Sequence, residues 1–322
     1  MHLRLQCLLP LALSLTGVAI GQEPCAEKVI PVNVALANGQ LLRQLPADVF
    51  AAEFENRPIS VAHIGEDSDP RRVVVVVDTG NLDREVRKAE QLIVRHLIEQ
   101  LRPEDKVALT TVRGIRRKVG FEDQPSQLDT VLVDIGNPRG KRSAPGLAEE
   151  IQTLLMADYL KGGDAVVVVA EDFEPDEPQL ASLQQKVLQR GIRVIAFQLG
   201  PRVMGTIYHN AFGSWSASAN DRSLAHLAFN SGGYMVNAAL WDPWSSFKLG
   251  DKETKQLQTD TVNASRAIAK FYKLRFEQPP VKKAATWSLD LKPAIKDQIK
   301  KDVVTIYPRI LLPCVMAQAE KK

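Results

Sequence analysis

The chain has little of what marks most enzymes and metal proteins. It holds three cysteines, five histidines and 6% aromatic residues in 322 positions. The histidines, His2, His63, His96, His209 and His226, show no metal-ligand spacing. His96 and His226 fall in helical pattern and read as packed or surface residues. No phosphate loop, dinucleotide glycine pattern or Gly-x-Ser-x-Gly elbow occurs, so nothing points to nucleotide chemistry or a serine hydrolase. A formal charge of +3, with basic and acidic residues interspersed, gives no case for nucleic acid or an anionic membrane. Beyond the N-terminus no apolar run is long enough to span a bilayer. Internal repeats and low-complexity tracts are also absent. Apolar content of 45% and charged content of 25% are those of an ordinary globular protein.

The N-terminus reads as a secretory signal peptide over residues 1–21: a basic start at Arg4, an apolar stretch, and small residues before Gln22. An uncleaved anchor is the alternative. Cleavage would remove Cys7 and leave Cys25 and Cys314, near the two ends of the chain. In an oxidising compartment these two suggest one disulfide tying the ends together, against two unpaired thiols in loose tails.

What is present is most informative at Val73–Val77, five valines that run into Asp78-Thr79-Gly80. Consecutive β-branched residues without polar alternation read as a parallel strand buried on both faces. Its C-terminal end carries a carboxylate, and in open α/β sheets that end is where ligands bind. A second valine run, 165–170, reads the same way. Between and around them helical and strand patterns alternate: helix 82–101, strand 106–112, short strand 118–121, helix 126–135, helix 145–160, helix 177–190, strand 192–199, helix 223–230 and strand 234–236. The basic turn from Arg113 to Lys118 reads as a solvated loop, or as a contact for an acidic partner. Residues 200–220, with Tyr208, His209, Phe212 and Trp215, and the insertion Trp241-Asp242-Pro243-Trp244 read as loops. Their rings either fill local pockets or serve binding.

The flanks read differently. Residues 28–66 make a small β unit with an Asn38-Gly39 turn, one helical turn at 46–50 and a second tight turn at 53–59. Residues 66–72 make a polar linker. After a helix at 254–270, segments 271–277, 286–291 and 303–307 alternate as strands. The expected organisation is signal peptide 1–21, N-terminal β segment 22–69, α/β domain 70–240, C-terminal helix and β segment 241–314, and a disordered tail 315–322. The fold class is α/β: a doubly wound, mainly parallel Rossmann-type sheet, with a small β unit formed by the N- and C-terminal segments.

The order of these pieces resembles a von Willebrand factor type A (vWA) domain, and in particular the secreted vWA-related proteins abundant in Acidobacteria. The resemblance rests on Val32-Asn33-Val34 through Asp48-Val49-Phe50, on Val73–Asp78, on Leu224–Ala228 with Ser231-Gly232-Gly233, and on Phe271-Tyr272-Lys273-Leu274. It implies a bacterial, protein-binding vWA module. It also implies a divalent-cation site of the pattern Asp-x-Ser-x-Ser, a Thr from a middle loop and an Asp after the fourth strand, since Mg²⁺ demands oxygen ligands in octahedral geometry. Asp78 matches the first position. Gly80 and Leu82 stand where the two hydroxyls belong and supply no side-chain oxygen. Ser143 falls at the Thr position. Glu171 takes the Asp position by register, or Asp172 if the loop shifts. The site is thus degenerate: no cofactor, or at most weak Mg²⁺ or Mn²⁺ on Asp78, Ser143, Glu171 and Asp172. Asp78 otherwise caps its own turn.

The functional expectation is a secreted or periplasmic, non-enzymatic protein–protein interaction module for adhesion or scaffolding. Its binding rim would be Asp78, Gly80, Asn81, Leu82, Ser143, Glu171 and Asp172. Its partner would be another protein, with no nucleic acid and no membrane span after signal cleavage. Two alternatives stay open: a hydrolase using Asp78, Glu171 and Asp172 as an acidic cluster, and a structural component of the cell envelope. A haloacid-dehalogenase-type phosphoryl transfer would need a second Asp where Gly80 stands.

Overall fold

In the computed structural model the described residues are 25–315, apart from 37–38, 47, 81–82, 114–117, 124, 137–145, 158, 172, 174, 202–205, 211–212, 218, 242–246 and 300–301. The expected signal peptide lies outside them, as do residues 316–322.

The N-terminal segment forms β1 (Glu27–Leu36), β2 (Phe50–Phe54), β3 (Arg57–Ile59) and β4 (Val61–Asp67). The middle of the chain gives β5 (Arg72–Asp78), α1 (Arg84–Gln100), β6 (Lys106–Val112), β7 (Lys118–Val119), α2 (Pro125–Gly136), α3 (Leu147–Met156), β8 (Ala165–Ala170), α4 (Glu177–Arg190), β9 (Arg193–Pro201), β10 (Thr206–Asn210), β11 (Gly213–Ala217), α5 (Ala219–Asn230) and β12 (Tyr234–Trp241). The C-terminal segment gives α6 (Asp251–Ala269), β13 (Phe271–Glu277), β14 (Ala285–Thr286), β15 (Ser288–Leu291), α7 (Pro293–Ile299), β16 (Val303–Ile306) and β17 (Ile310–Leu311).

The central sheet has the order β12-β9-β8-β5-β6-β7, parallel except for the two-residue edge strand β7. Both valine runs lie at its centre, in register from Val73 beside Ala165 to Val77 beside Val169. A strand covered on both faces has no solvent side, so neither face needs polar alternation. Val73, Val75 and Val77 pack on the α1, α2 and α6 side, and Val74 and Val76 on the α3, α4 and α5 side. In α1 the buried stripe Val86, Ala89, Ile93 and Leu97 follows the helical period, and Asp83 caps the start by accepting from the Glu85 and Val86 amides at 2.7 and 3.3 Å.

This is the doubly wound, vWA-like arrangement that the sequence implied. The chain leaves β5 toward β6 on one side and later returns to β8 on the other. The crevice at the carboxyl ends of β5 and β8 is therefore the topological switch point, where open α/β sheets bind ligands.

The two ends of the chain share one small β unit. β1 pairs antiparallel with β13 through residues 27–32 and with β16 through residues 33–36. A separate core, including Val34, Phe50, Tyr272, Trp287 and Tyr307, lies beneath. Cys25 and Cys314 form the expected disulfide across 289 residues. At the joint with the central sheet, the buried Arg193 guanidinium donates to Ala267 O at 2.6 Å, Gly163 O at 2.8 Å and Ile268 O at 3.0 Å. It thereby satisfies carbonyls at the C-terminal end of α6, where a cation suits the helix dipole. The Phe271 ring lies 4.3 Å from the Arg193 guanidinium and 4.5 Å from that of Arg71. Burial, with the like charge of Arg71, pushes the Arg193 pKa down to about 9.

Some local expectations are corrected. The helical turn expected at 46–50 includes residue 47, which lies outside the described residues; Phe50 belongs to β2 instead, because the strand pairs with β15 and β3 on either side. The expected linker at 66–72 begins inside β4, whose Glu66 and Asp67 pair with Tyr272 and Phe271. The segment 200–220 is not all loop: β10 and β11 form a hairpin in which Tyr208 stands opposite Trp215. Helix α7 is an additional short element. The turn at 53–59 is the hairpin β2–β3, with Glu55 and Asn56 both at positive φ (49° and 60°).

Candidate functional site

Asp78 is the last residue of β5 and is 4% exposed. Its neighbours in register are Val112 on β6 and, one position back, the Val77–Val169 pair on β8. Glu171 directly follows β8. The structure thus places Asp78 and Glu171 at the mouth of the same switch-point crevice. Asn81, Leu82, Ser143 and Asp172 lie outside the described residues.

Both oxygens of Asp78 have partners. Oδ1 accepts from the Gly80 amide at 3.0 Å, an Asx-type turn. Oδ2 is ion-paired with Nη2 of Arg113, the first residue after β6. The first residue of the basic turn thus faces inward onto the carboxylate, while residues 114–117 lie outside the described residues. Arg113 adopts positive φ (57°), and this bend carries its side chain over Gly80. A Cβ added to Gly80 would stand 3.0 Å from Asp78 Oδ1 and 3.1 Å from Arg113 Cβ. Gly80 is thus more than a lost hydroxyl, because the Arg113 contact needs the space that a serine would fill.

A third carboxyl group lies close by. Glu90 on α1 is buried, and its Oε2 has no hydrogen-bond partner among the described residues. Burial first, then the charge of Asp78, raises its pKa well above the usual carboxylate range; Glu171 adds to the rise and Arg87 opposes it. Glu90 is thereby favoured as a neutral acid behind an ionised Asp78. The Glu171 side chain in turn lies against Gly200 at the end of β9, where an added Cβ would meet its Cγ at 2.9 Å.

Sequence alone placed neither of two participants here: Glu90 was not singled out, and Arg113 was read only as part of a basic turn. Glu90 carried a usable signal: it follows Ala89 on the apolar stripe of α1, where a carboxylate is out of place. Arg113 carried none, because its proximity to Asp78 depends on β6 lying beside β5.

The described residues do not suit a divalent cation. Asp78 already neutralises a guanidinium that occupies its outer side, and a second cation there would be repelled. Among the described residues no group of three or more His, Cys, Asp or Glu side chains is arranged to hold a metal ion.

No protein-family model matches the chain, and no curated protein sequence matches it. Solved structures similar to it include BatB from Bacteroides thetaiotaomicron, at 14% identity over 60% of this chain and 98% of that one, with a TM-score of 0.38. A von Willebrand factor type A protein from Catenulispora acidiphila is 8% identical over 92% of this chain and 75% of that one, with a TM-score of 0.42. Proximal thread matrix protein 1 of the mussel byssus, whose structure has a zinc-occupied MIDAS motif, is 12% identical over 66% of this chain and 50% of that one, with a TM-score of 0.42. Likenesses this low carry no argument about function; the order of the sheet itself carries the fold.

Proposed function

We propose that the protein is a secreted or periplasmic interaction module, without catalytic activity, that binds another protein through the rim at the carboxyl ends of β5, β6 and β8, and that it does so without a metal ion. The ion pair of buried Asp78 with Arg113, seated over Gly80, carries this reading. In a metal-dependent rim the cation supplies the positive charge that meets a partner's carboxylate. Here a guanidinium, about one third exposed, stands at that place and offers planar N–H donors of its own. The Cys25–Cys314 bond supports an oxidising compartment. No helix among the described residues is long and apolar enough to cross a membrane.

The test is thermal unfolding in EDTA, then with millimolar Mg²⁺ or Mn²⁺, beside an Asp78→Ala control. A ligand that binds only the folded state raises the melting temperature. The expected result is no rise in either protein. A rise in the parent that vanishes in the control would overturn metal independence.

One observation favours a second reading, a hydrolase. Neutral Glu90 behind ionised Asp78 is the kind of split that assigns acid and base roles. Yet both Asp78 oxygens are engaged. Hydrolytic activity that disappears in folded Asp78→Ala and Glu171→Ala variants would establish it over the binding role.

A further inference from the structure

At the end of the sheet opposite Asp78, a pocket of about 510 Å³ opens between the turn after β1, the β4–β5 link and the C-terminal ends of α1 and α6. That volume is in the range of small-ligand sites. Four cations line it, Arg43, Arg102, Arg266 and Lys270, and no carboxylate does.

Two of the four are balanced from behind. Arg102 holds Asp105 through Nε at 3.1 Å and Nη2 at 2.7 Å, and also donates to the carbonyls of Ser68 and Asp69. Lys270 pairs with Glu66. The other two form no ion pair among the described residues, although the Glu66 carboxylate held by Lys270 also acts on Arg43 at longer range. Arg43 hydrogen-bonds only neutral acceptors, Arg266 O at 3.1 Å and Asn33 Oδ1 at 3.4 Å. Arg266 is exposed in the last turn of α6, and its guanidinium has no hydrogen-bond or ion-pair partner among the described residues. Arg43 and Arg266 therefore line one pocket, tied together through the Arg266 carbonyl, beside residues that are held in place. Burial lowers the Arg43 pKa, a cost of desolvating this cation that a bound anion would offset.

We propose that this pocket binds a phosphate or sulfate group, with Arg43 and Arg266 as its direct ligands and Arg102 and Lys270 as flanking positive charge. Planar guanidinium donors match the paired oxygens of a tetrahedral oxyanion. The opposing factor is the α6 C-terminus, whose carbonyls would repel an anion. Three of those carbonyls are already covered: Ala267 O and Ile268 O by Arg193, and Arg266 O by Arg43. The site lies at the far end of the sheet from the proposed binding rim and does not depend on it.

The test is titration calorimetry of the protein with inorganic pyrophosphate and with sodium sulfate, at low and moderate salt. Arg266→Glu is the informative variant, because the side chain it replaces holds no other group in place. Saturable binding by the parent is expected, weaker as salt rises and weaker by about tenfold or more in Arg266→Glu with its melting temperature retained. No binding by the parent, or equal binding by folded Arg266→Glu, would overturn the proposal. If Arg266→Glu does not fold, Arg266→Gln is judged by the same criterion. Vesicles containing phosphatidylglycerol separate the sources: binding displaced by pyrophosphate identifies a lipid headgroup, and pyrophosphate binding without vesicle binding identifies a free anion.

Discussion

Gly80 and Arg113 approach so closely that a Cβ on the glycine would lie 3.1 Å from the arginine's own Cβ. The two lie just beyond the neighbouring strands β5 and β6, and the contact exists because Asp78 draws Arg113 inward. Gly80→Ser should therefore not restore a cation site. It should crowd the Arg113 contact and cost about 1–2 kcal/mol. Urea unfolding with and without Mg²⁺ checks this; a Mg²⁺-dependent gain in stability would show that the serine displaces Arg113 and recruits the ion.

The Asp78–Arg113 pair should show coupling. Asp78→Ala is expected to destabilise by about 2 kcal/mol, since it leaves Arg113 without its buried partner. Arg113→Ala should cost less than the sum of effects implies when the two are combined. A double-mutant cycle in urea measures the coupling, and additive single effects would mean that the pair contributes nothing beyond two separate side chains.

Glu90 makes stability depend on pH in a defined direction. Its folded-state pKa is raised, by burial and by Asp78. The stability linked to its proton is present below the unfolded pKa, about 4.3, and is lost as pH rises through the higher folded value. Glu90→Gln does not titrate. The variant should match the parent near pH 4 and be more stable than it at pH 8. Melting temperatures from pH 4 to 8 supply the comparison; a difference that does not change with pH would contradict it.

The disulfide closes a loop of 289 residues. In the chain-entropy account a loop of that length is worth about 5 kcal/mol, reduced by residual structure in the unfolded chain. Replacing Cys25 and Cys314 together by Ser should lower the urea midpoint by a corresponding amount. In the unreduced protein a thiol assay should find neither cysteine free.

Much of the fold was legible because its signals are local. Val73–Val77 and residues 165–170 read as buried parallel strands without any knowledge of their neighbours, since only a two-sided burial tolerates such runs. The apolar stripe of α1 was visible at its helical period, although Glu90, a carboxylate on that stripe, was not singled out. Asn38-Gly39 marked its turn: Gly39 sits at φ 83°, and Leu36 and Gln40 close the bend. The hairpin β10–β11 was missed, since its Ser- and Gly-containing strands lack a hydrophobic period.

By itself, then, the sequence determined the strands and helices of the central sheet and that Asp78 ends one of its central strands. Periodicity and residue type act over a few positions, and these conclusions need nothing more. Only the tertiary structure decided that Arg113 fills the outer side of Asp78, that Glu90 lies behind it, and that Arg43 and Arg266 share a pocket 223 residues apart in sequence. Those relationships are set by strand order and by the way the crossovers stack helices on the sheet. No local pattern encodes which distant charge will be brought to a carboxylate, because that is fixed by how the whole chain closes on itself.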